Sequence, residues 1–238
     1  CLVPLSGIHV RRLKQYLELK NLNVVNQLVS KSWLMMDNAS KFLQLHPIIC
    51  DVVKDQLKPD QRSCAQYIRG VWADLEPAWF MTLEERNEKW PYGDYILQHY
   101  GTPTRELYDE YVGFANTAWI CSQFDQSIRT GKEIYAFTIK EFGDAGYQPA
   151  YAARSVGNAY FNAGRDREAD LWFSLALEHI LKRPEDSCLE LGLCYQKTGR
   201  SAYQNGEFDK AKEYLDLSME YFTAAIQRQE PGANAMYY

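Results

Sequence analysis

The alternation of apolar and polar positions is clearest between Pro149 and Arg183. Two amphipathic segments, Pro149–Ala163 and Asp166–Arg183, flank a break at Asn162-Ala163-Gly164. Apolar residues recur at helical spacing in both. Small residues stand where the two helices would have to touch: Gly157 in the first, Ala169 and Ala176 in the second. Val156, Tyr160 and Phe173 are large enough to fill the space between them. Gly164 suits the left-handed residue that closes a helix. Asp166 suits the first turn of the next helix, where a carboxylate complements exposed N–H groups.

The pattern recurs at a step of 42 residues, which takes Gly157 to Gly199, Gly164 to Gly206, Ala169 to Ala211, Phe173 to Leu215 and Phe161 to Tyr203. One step back takes Gly157 to Ala115, Asn158 to Asn116 and Phe161 to Trp119. Three units follow, 107–148, 149–190 and 191–232. The first is degenerate, with Ser127 and Gly131 in place of the alanine and the large apolar residue. Val156-Gly157-x-x-Tyr160 followed by Ala169, Phe173 and Ala176 resembles the tetratricopeptide repeat, whose usual period is about 34. The longer step resembles the kinesin-light-chain-like variety. This resemblance implies helix pairs Arg105–Gln123 with Asp125–Phe142, Pro149–Ala163 with Asp166–Arg183, and Glu185–Asn205 with Phe208–Gln229. Such pairs stack into a right-handed α–α superhelix whose concave face is made by the first helix of each pair.

The N-terminal part reads differently. Val10–Leu19 is helical, and Asn23 caps a second helix. Ser32–Met36 and Lys41–Leu45 form a hairpin around Asp37-Asn38-Ala39-Ser40. His46-Pro47 opens a helix over Ile48–Leu57 that Lys58-Pro59 ends. Two helices, a hairpin and a helix make a winged-helix pattern with a truncated first helix. Pro4-Leu5-Ser6-Gly7-Ile8, then Leu28-Val29 with Trp33-Leu34, then Leu45-His46-Pro47-Ile48-Ile49 with Val52-Val53, resembles the winged-helix segment of bacterial STAND/NB-ARC-like signalling ATPases. In that family a nucleotide-binding domain precedes this segment and helical repeats follow it. The resemblance covers about residues 2–59. It implies an upstream nucleotide-binding domain of the same chain as a partner, with His46 in contact with it; as a structural residue, His46 would instead cap the following helix or bridge strand to helix. No Gly-x-x-x-x-Gly-Lys-Ser/Thr loop is present, so the expectation is a fragment of a longer protein with no cofactor of its own.

Between these parts, Asp60–Leu75 is helical in pattern, Glu76-Pro77 ends or kinks it, and Thr82-Leu83-Glu84-Glu85 has the form of a capping box. Trp90-Pro91 is expected to interrupt the next helix, and Gly101-Thr102-Pro103 to stop it. The expected organisation is a winged-helix-like domain at 1–59, linking and capping helices at 60–104, a repeat domain at 105–232 and a tail at 233–238. The fold class is mainly α, with one small hairpin-bearing part.

Charge and cysteine usage narrow the function. Residues 1–58 carry eight Lys/Arg against four Asp/Glu, whereas the remainder carries 18 against 27. An acidic repeat region is a poor binder of nucleic acid. The second helix of the winged-helix part offers only Asn26, Gln27 and Lys31, and the hairpin tip at Asp37 repels phosphate, so DNA is not an expected partner. The six Cys, scattered without metal or redox spacing, read as reduced thiols of a cytoplasmic protein with no metal site. No apolar run reaches the roughly 20 residues of a membrane span. No nucleophile, acid–base pair or metal motif at recognised spacing marks a catalytic residue.

Candidate binding residues lie on the first helix of each pair. Tyr151, Arg154, Asn158, Phe161 and Asn162 share one side of it. Asn116, Asn158 and Arg200 occupy one slot in successive units, and Trp119, Phe161 and Tyr203 form an aromatic row three residues on. Amides and guanidinium groups in a row can hydrogen-bond an extended peptide backbone or a carboxylate, and the aromatics can anchor apolar side chains. The expectation is a non-catalytic regulatory or sensor fragment. It would bind a protein or peptide in the concave groove, or dock on the nucleotide-binding domain of its parent. A transcriptional regulator with a DNA-contacting winged helix and a self-assembling scaffold are the alternatives.

Overall fold

The computed structural model describes residues 7–76 and 78–233. The expectations placed on Cys1, Pro4-Leu5-Ser6, Pro77 and the tail at 234–238 lie outside the described residues. The chain forms two compact units, residues 1–121 and 122–238. Helix dominates both.

The first unit opens with β1 (Ile8–His9), α1 (Val10–Tyr16) and α2 (Asn23–Ser30), followed by the hairpin β2 (Leu34–Met36) and β3 (Phe42–Leu45). The hairpin stands at the expected residues. β1 was not foreseen; it pairs antiparallel with β3 through Ile8–Leu43 and His9–Phe42, giving the sheet order β1-β3-β2. Two residues are too few to show an alternation, so only the pairing reveals the strand. Asn23 is not the cap of α2. Leu22 holds that position, and the Asn21 carboxamide oxygen accepts the Asn23 N–H at 3.0 Å.

Next come α3 (Pro47–Val52), running on as one π-helical turn to Leu57, then α4 (Ala65–Leu75), α5 (Leu83–His99) and α6 (Tyr108–Ile120). Lys58 ends the π turn at φ 42°. Thr82 and Glu85 form the reciprocal capping box that their spacing announces, with Glu85 N–H to Thr82 Oγ1 at 3.2 Å and Thr82 N–H to Glu85 Oε2 at 2.7 Å. Pro91 does not interrupt α5, which passes straight through it. Trp90 and Tyr92 on either side are buried, and tertiary packing of that kind overrides local propensity. The core of this unit gathers Tyr16, Ile68, Val71, Leu75, Ile96 and Phe114. The Tyr16 hydroxyl donates to Asp74 Oδ2 at 2.8 Å, and Lys89 pairs with the same carboxylate at 3.0 Å.

The second unit contains α7 (Phe124–Phe142), α8 (Tyr147–Asn162), α9 (Asp166–Leu181), α10 (Cys188–Gln204) and α11 (Phe208–Gln227). Each helix packs against the next in sequence, and α10 also touches α8. The short connections make neighbours antiparallel. The 42-residue step is visible in three dimensions. Gly164 and Gly206 both take left-handed φ, at 72° and 79°. Behind them the same bonds close the helices: Arg165 N–H to the Tyr160 carbonyl and Glu207 N–H to the Ala202 carbonyl. Ala169 and Ala211 are both buried. Gly157 lies at the α8–α9 crossing, where a Cβ would stand 2.5 Å from the Phe173 ring. Gly199 lies at the α10–α11 crossing, where a Cβ would stand 3.1 Å from Leu215 and 3.2 Å from Tyr214. Ser127 and Gly131 of the degenerate unit are buried on α7, with Gly131 against Val156.

Gly157→Ala should destabilise the chain by about 1–3 kcal/mol in urea denaturation, the usual cost of overpacking. Gly157→Ala combined with Phe173→Leu should recover part of that loss. Equal losses in the single and double variants would remove the crossing as the cause.

Candidate functional site

Of the residues singled out above, Asn116 and Trp119 belong to α6 of the first unit. Asn116 is half-buried. Trp119 packs edge-on against Trp79, with ring centroids 4.8 Å apart, and its buried indole N–H has no partner among the described residues. His46 sits where β3 turns into α3. Its backbone N–H donates to the Trp33 carbonyl at 3.0 Å, while its side chain makes no capping bond to the helix.

The remaining residues lie on α8 and α10. Tyr151 stacks on Tyr147 at 5.6 Å and lies beneath the Arg154 guanidinium, 5.3 Å from it. Arg154 reaches across to α10, where its Nε and Nη2 donate to the two Glu190 oxygens at 2.7 and 2.9 Å. The side chains are 11% and 3% exposed, so this is a buried bidentate pair. Burial works against the charge on Arg154, but the Glu190 carboxylate overrides it and holds the guanidinium more firmly protonated than usual. Phe161 is half-buried, with the Arg200 guanidinium 4.2 Å from its ring centroid. Asn162 is exposed and donates to the Asn158 carbonyl of its own helix at 2.8 Å. The Asn158 side-chain amide has no hydrogen-bond partner among the described residues. Tyr203 is exposed and meets Phe208 edge-on at 5.5 Å.

The residues of the second unit therefore do not all face a free wall. Arg154, Phe161 and Arg200 meet in the seam where α8 and α10 lie side by side. Helix positions three and four apart point toward the neighbouring helix once that helix is packed there. Asn158, Asn162 and Tyr203 keep polar or aromatic surface that the packing leaves unused.

Two residues of the seam were missed. Glu190, which claims Arg154, is 36 residues away along the chain. The available signal was a carboxylate on the apolar stripe of Leu191 and Cys194. Lys197 was the other. It is half-buried on α10, pairs with no carboxylate among the described residues, and borders a small pocket with Phe161, Asp170, Phe173, Arg200 and Ser201. With Gln196, Arg200, Tyr203 and Leu215 it also borders an open recess. Burial, then the charges of Arg154 and Arg200, lower its ammonium to about 8. Among the described residues no group of His, Cys, Asp or Glu is placed to hold a metal ion. No helix of the described residues is long and apolar enough to cross a membrane.

Comparison with known proteins bears on the fold. The structure superimposes on the kinesin light chain nearly identical TPR-like repeats of Podosopora anserina with a TM-score of 0.54, covering 91% of this chain and 97% of that one at 15% identity. It superimposes on BtubC (BKLC) from P. vanneervenii with a TM-score of 0.52, covering 90% and 88% at 12% identity. The fold is of the tetratricopeptide-repeat type. No family model matches the chain. By sequence, 80 residues are 35% identical to the photosystem I assembly protein Ycf3 of Prochlorococcus marinus, covering 33% of this chain and 44% of that protein. Ycf3 of a Synechococcus species matches over the same length at 34%. The match thus spans less than half of these relatives.

Two outcomes test the seam. Arg154→Ala should cost about 3–5 kcal/mol, because Glu190 would remain buried without its partner. Arg154→Met combined with Glu190→Met should restore most of that loss in denaturant titration. For Lys197 the sign follows from its lowered value. In the unfolded chain the amine keeps its proton to about pH 10.4. Between about 8 and that pH the unfolded state binds more protons, so the penalty of a buried charge fades and stability rises with pH. Lys197→Met should be more stable than wild type at about pH 7.5, with the gap closing by about pH 10. A gap independent of pH would contradict this assignment.

Proposed function

We propose that this chain is a non-catalytic protein-interaction module whose paired helices receive a protein or peptide. The observation that carries the reading is the set of polar groups on α8 and α10 that the fold leaves without a hydrogen-bond or ion-pair partner among the described residues: the Asn158 amide, the Lys197 ammonium, and the exposed guanidinium of Arg200, whose face rests on Phe161. A half-buried cation without a counter-charge, as Lys197 is, gains from an anionic or carbonyl-bearing partner. The matching relatives are photosystem I assembly proteins, and we carry that kind of task over: holding another protein while a larger complex forms.

In the finer form of this proposal the chain is the sensor part of a signalling ATPase of a bacterial cytoplasm. Residues 1–59 are its winged-helix-like domain, 60–104 link, and 105–232 form the repeat domain. His46, at the strand–helix junction, meets the nucleotide-binding domain. The three-stranded antiparallel sheet, with α1 against β1 and α2 against β2, supports the winged-helix reading. A DNA-contacting regulator is not favoured, because the Asp37 carboxylate at the hairpin tip, its proton affinity lowered by bonds from Ser40 and Ala39, stays charged.

Selection of a random peptide library, about 12 residues long, against the full chain should enrich ligands. Arg200→Ala and Asn158→Ala should each weaken a selected peptide about tenfold, or about 1.4 kcal/mol, with an unchanged melting temperature. Failure to enrich any peptide, or affinity indifferent to both variants, would defeat the proposal.

A further inference from the structure

Three arginines of this chain are held in one way: the guanidinium lies over an aromatic ring and pairs with a carboxylate. Arg12 lies 5.3 Å from the Tyr92 ring centroid and donates to Glu88 at 2.9 Å. Arg154 lies 5.3 Å from the centroid of Tyr151 and pairs with Glu190. Arg165 lies 4.6 Å from the centroid of Tyr160 and donates to Glu168 at 2.6 Å. The face of the ring attracts the cation, and the carboxylate accepts its N–H groups.

Between α4 and α5 the chain displays rings and carboxylates without the arginine. A 3₁₀ turn, Ala78–Phe80, carries Trp79 at 64% and Phe80 at 93% exposure, and Leu83 at the start of α5 is 68% exposed. Exposed large apolar side chains grouped so closely form a patch, which marks an interaction surface more often than single ones do. The turn is well anchored. Ala78 and Met81 are buried, the Trp79 ring rests edge-on against Trp119, and the Thr82–Glu85 capping box fixes the start of α5.

The charge along this segment is acidic. Residues 76–88 hold four Glu and one Arg. Arg86 donates to the Ile120 carbonyl at 3.0 Å, Glu85 accepts from Thr82, and Glu88 accepts from Arg12. Glu76 and Glu84 are exposed and make no ion pair among the described residues. No Lys or Arg among the described residues lies over the ring of Trp79 or Phe80.

We infer that the Trp79–Phe80–Leu83 surface receives an arginine-bearing, apolar-faced segment of a partner protein. The partner's arginine lies over an exposed ring and pairs with Glu84 or Glu76, which repeats the setting of Arg12, Arg154 and Arg165, while apolar side chains beside it cover Leu83. Charge favours this occupant over a lipid surface, because anionic headgroups repel the unpaired carboxylates. The surface belongs to the first unit and uses none of the groups on α8 and α10 that carry the proposed function, so the inference goes beyond that reading.

The probe is a labelled helical peptide of about 18 residues in which Arg and Leu recur at helical spacing. Its counterparts carry Lys or Glu in place of Arg. Binding to the full chain is followed by fluorescence anisotropy at about 0.15 M salt. The Arg peptide should bind at least about tenfold more tightly than the Glu peptide and about threefold more tightly than the Lys peptide. Phe80→Ser and Glu84→Gln change exposed side chains and so spare the fold. Each should weaken the Arg peptide at least about fivefold with an unchanged circular dichroism spectrum. Equal binding of the Arg peptide and either counterpart, or retention by Phe80→Ser, would overturn the inference. Loss of the Arg peptide in Asn158→Ala with retention by Phe80→Ser would place it on α8, which sinks the inference and leaves the proposed function standing. Co-sedimentation with vesicles of phosphatidylcholine alone that Phe80→Ser abolishes would give the patch to lipid. Self-association in light scattering that Phe80→Ser abolishes would give it to a second copy, and either result would overturn the inference.

Discussion

The second unit depends on how closely two helices can approach where a side chain is missing. At Gly157 the Phe173 ring occupies the volume a Cβ would need, and at Gly199 Leu215 and Tyr214 would stand 3.1 and 3.2 Å from a Cβ, a tight but smaller encroachment. That proximity makes each pair a thin two-helix layer. A layer so thin cannot enclose its own apolar residues, so Val156, Phe173 and Leu177 are sealed only when another helix lies across them. The repeat is therefore a physical unit that is incomplete by construction, and each pair presents a face to be covered.

What covers the α8–α9 pair is α10, and the contact is not purely apolar. Arg154 and Glu190 meet there in a bidentate pair almost out of water. Such a pair adds little net stability, because desolvation of both charges offsets their attraction. It is, however, intolerant of displacement: a slide of one residue along either helix would strand two buried charges. The pair thus works as a register lock for the seam. It also explains why Arg154, an attractive ligand-binding residue when read from its neighbours on α8, has its charge already committed.

Lys197 shows the complementary situation. It shares the helix and the seam but has no carboxylate, and the charges of Arg154 and Arg200 add to the cost of burying it. The fold thus matches one cation of the seam with an acid and leaves the next without one among the described residues.

How much of this was legible in the residues divides along physical lines. The helix pairs, their glycine turns at Gly164 and Gly206, the capping box at Thr82 and the hairpin at 34–45 all follow from local rules, in which a residue's conformational preference or its spacing from near neighbours sets the outcome. Where tertiary contact competes with a local preference, the preference lost: Pro91 lies inside α5, and Ile8–His9 becomes a strand only because Leu43 and Phe42 pair with it. The candidate site divides in the same way. The amino-acid order determined that Arg154, Asn158 and Phe161 share a side of one helix, since helical geometry needs nothing beyond the spacing. Only the packing of α10 beside α8 decided which of them meets Glu190 or Arg200 and which stays unused, because a partner 36 residues distant is chosen by the fold and leaves no trace in local spacing.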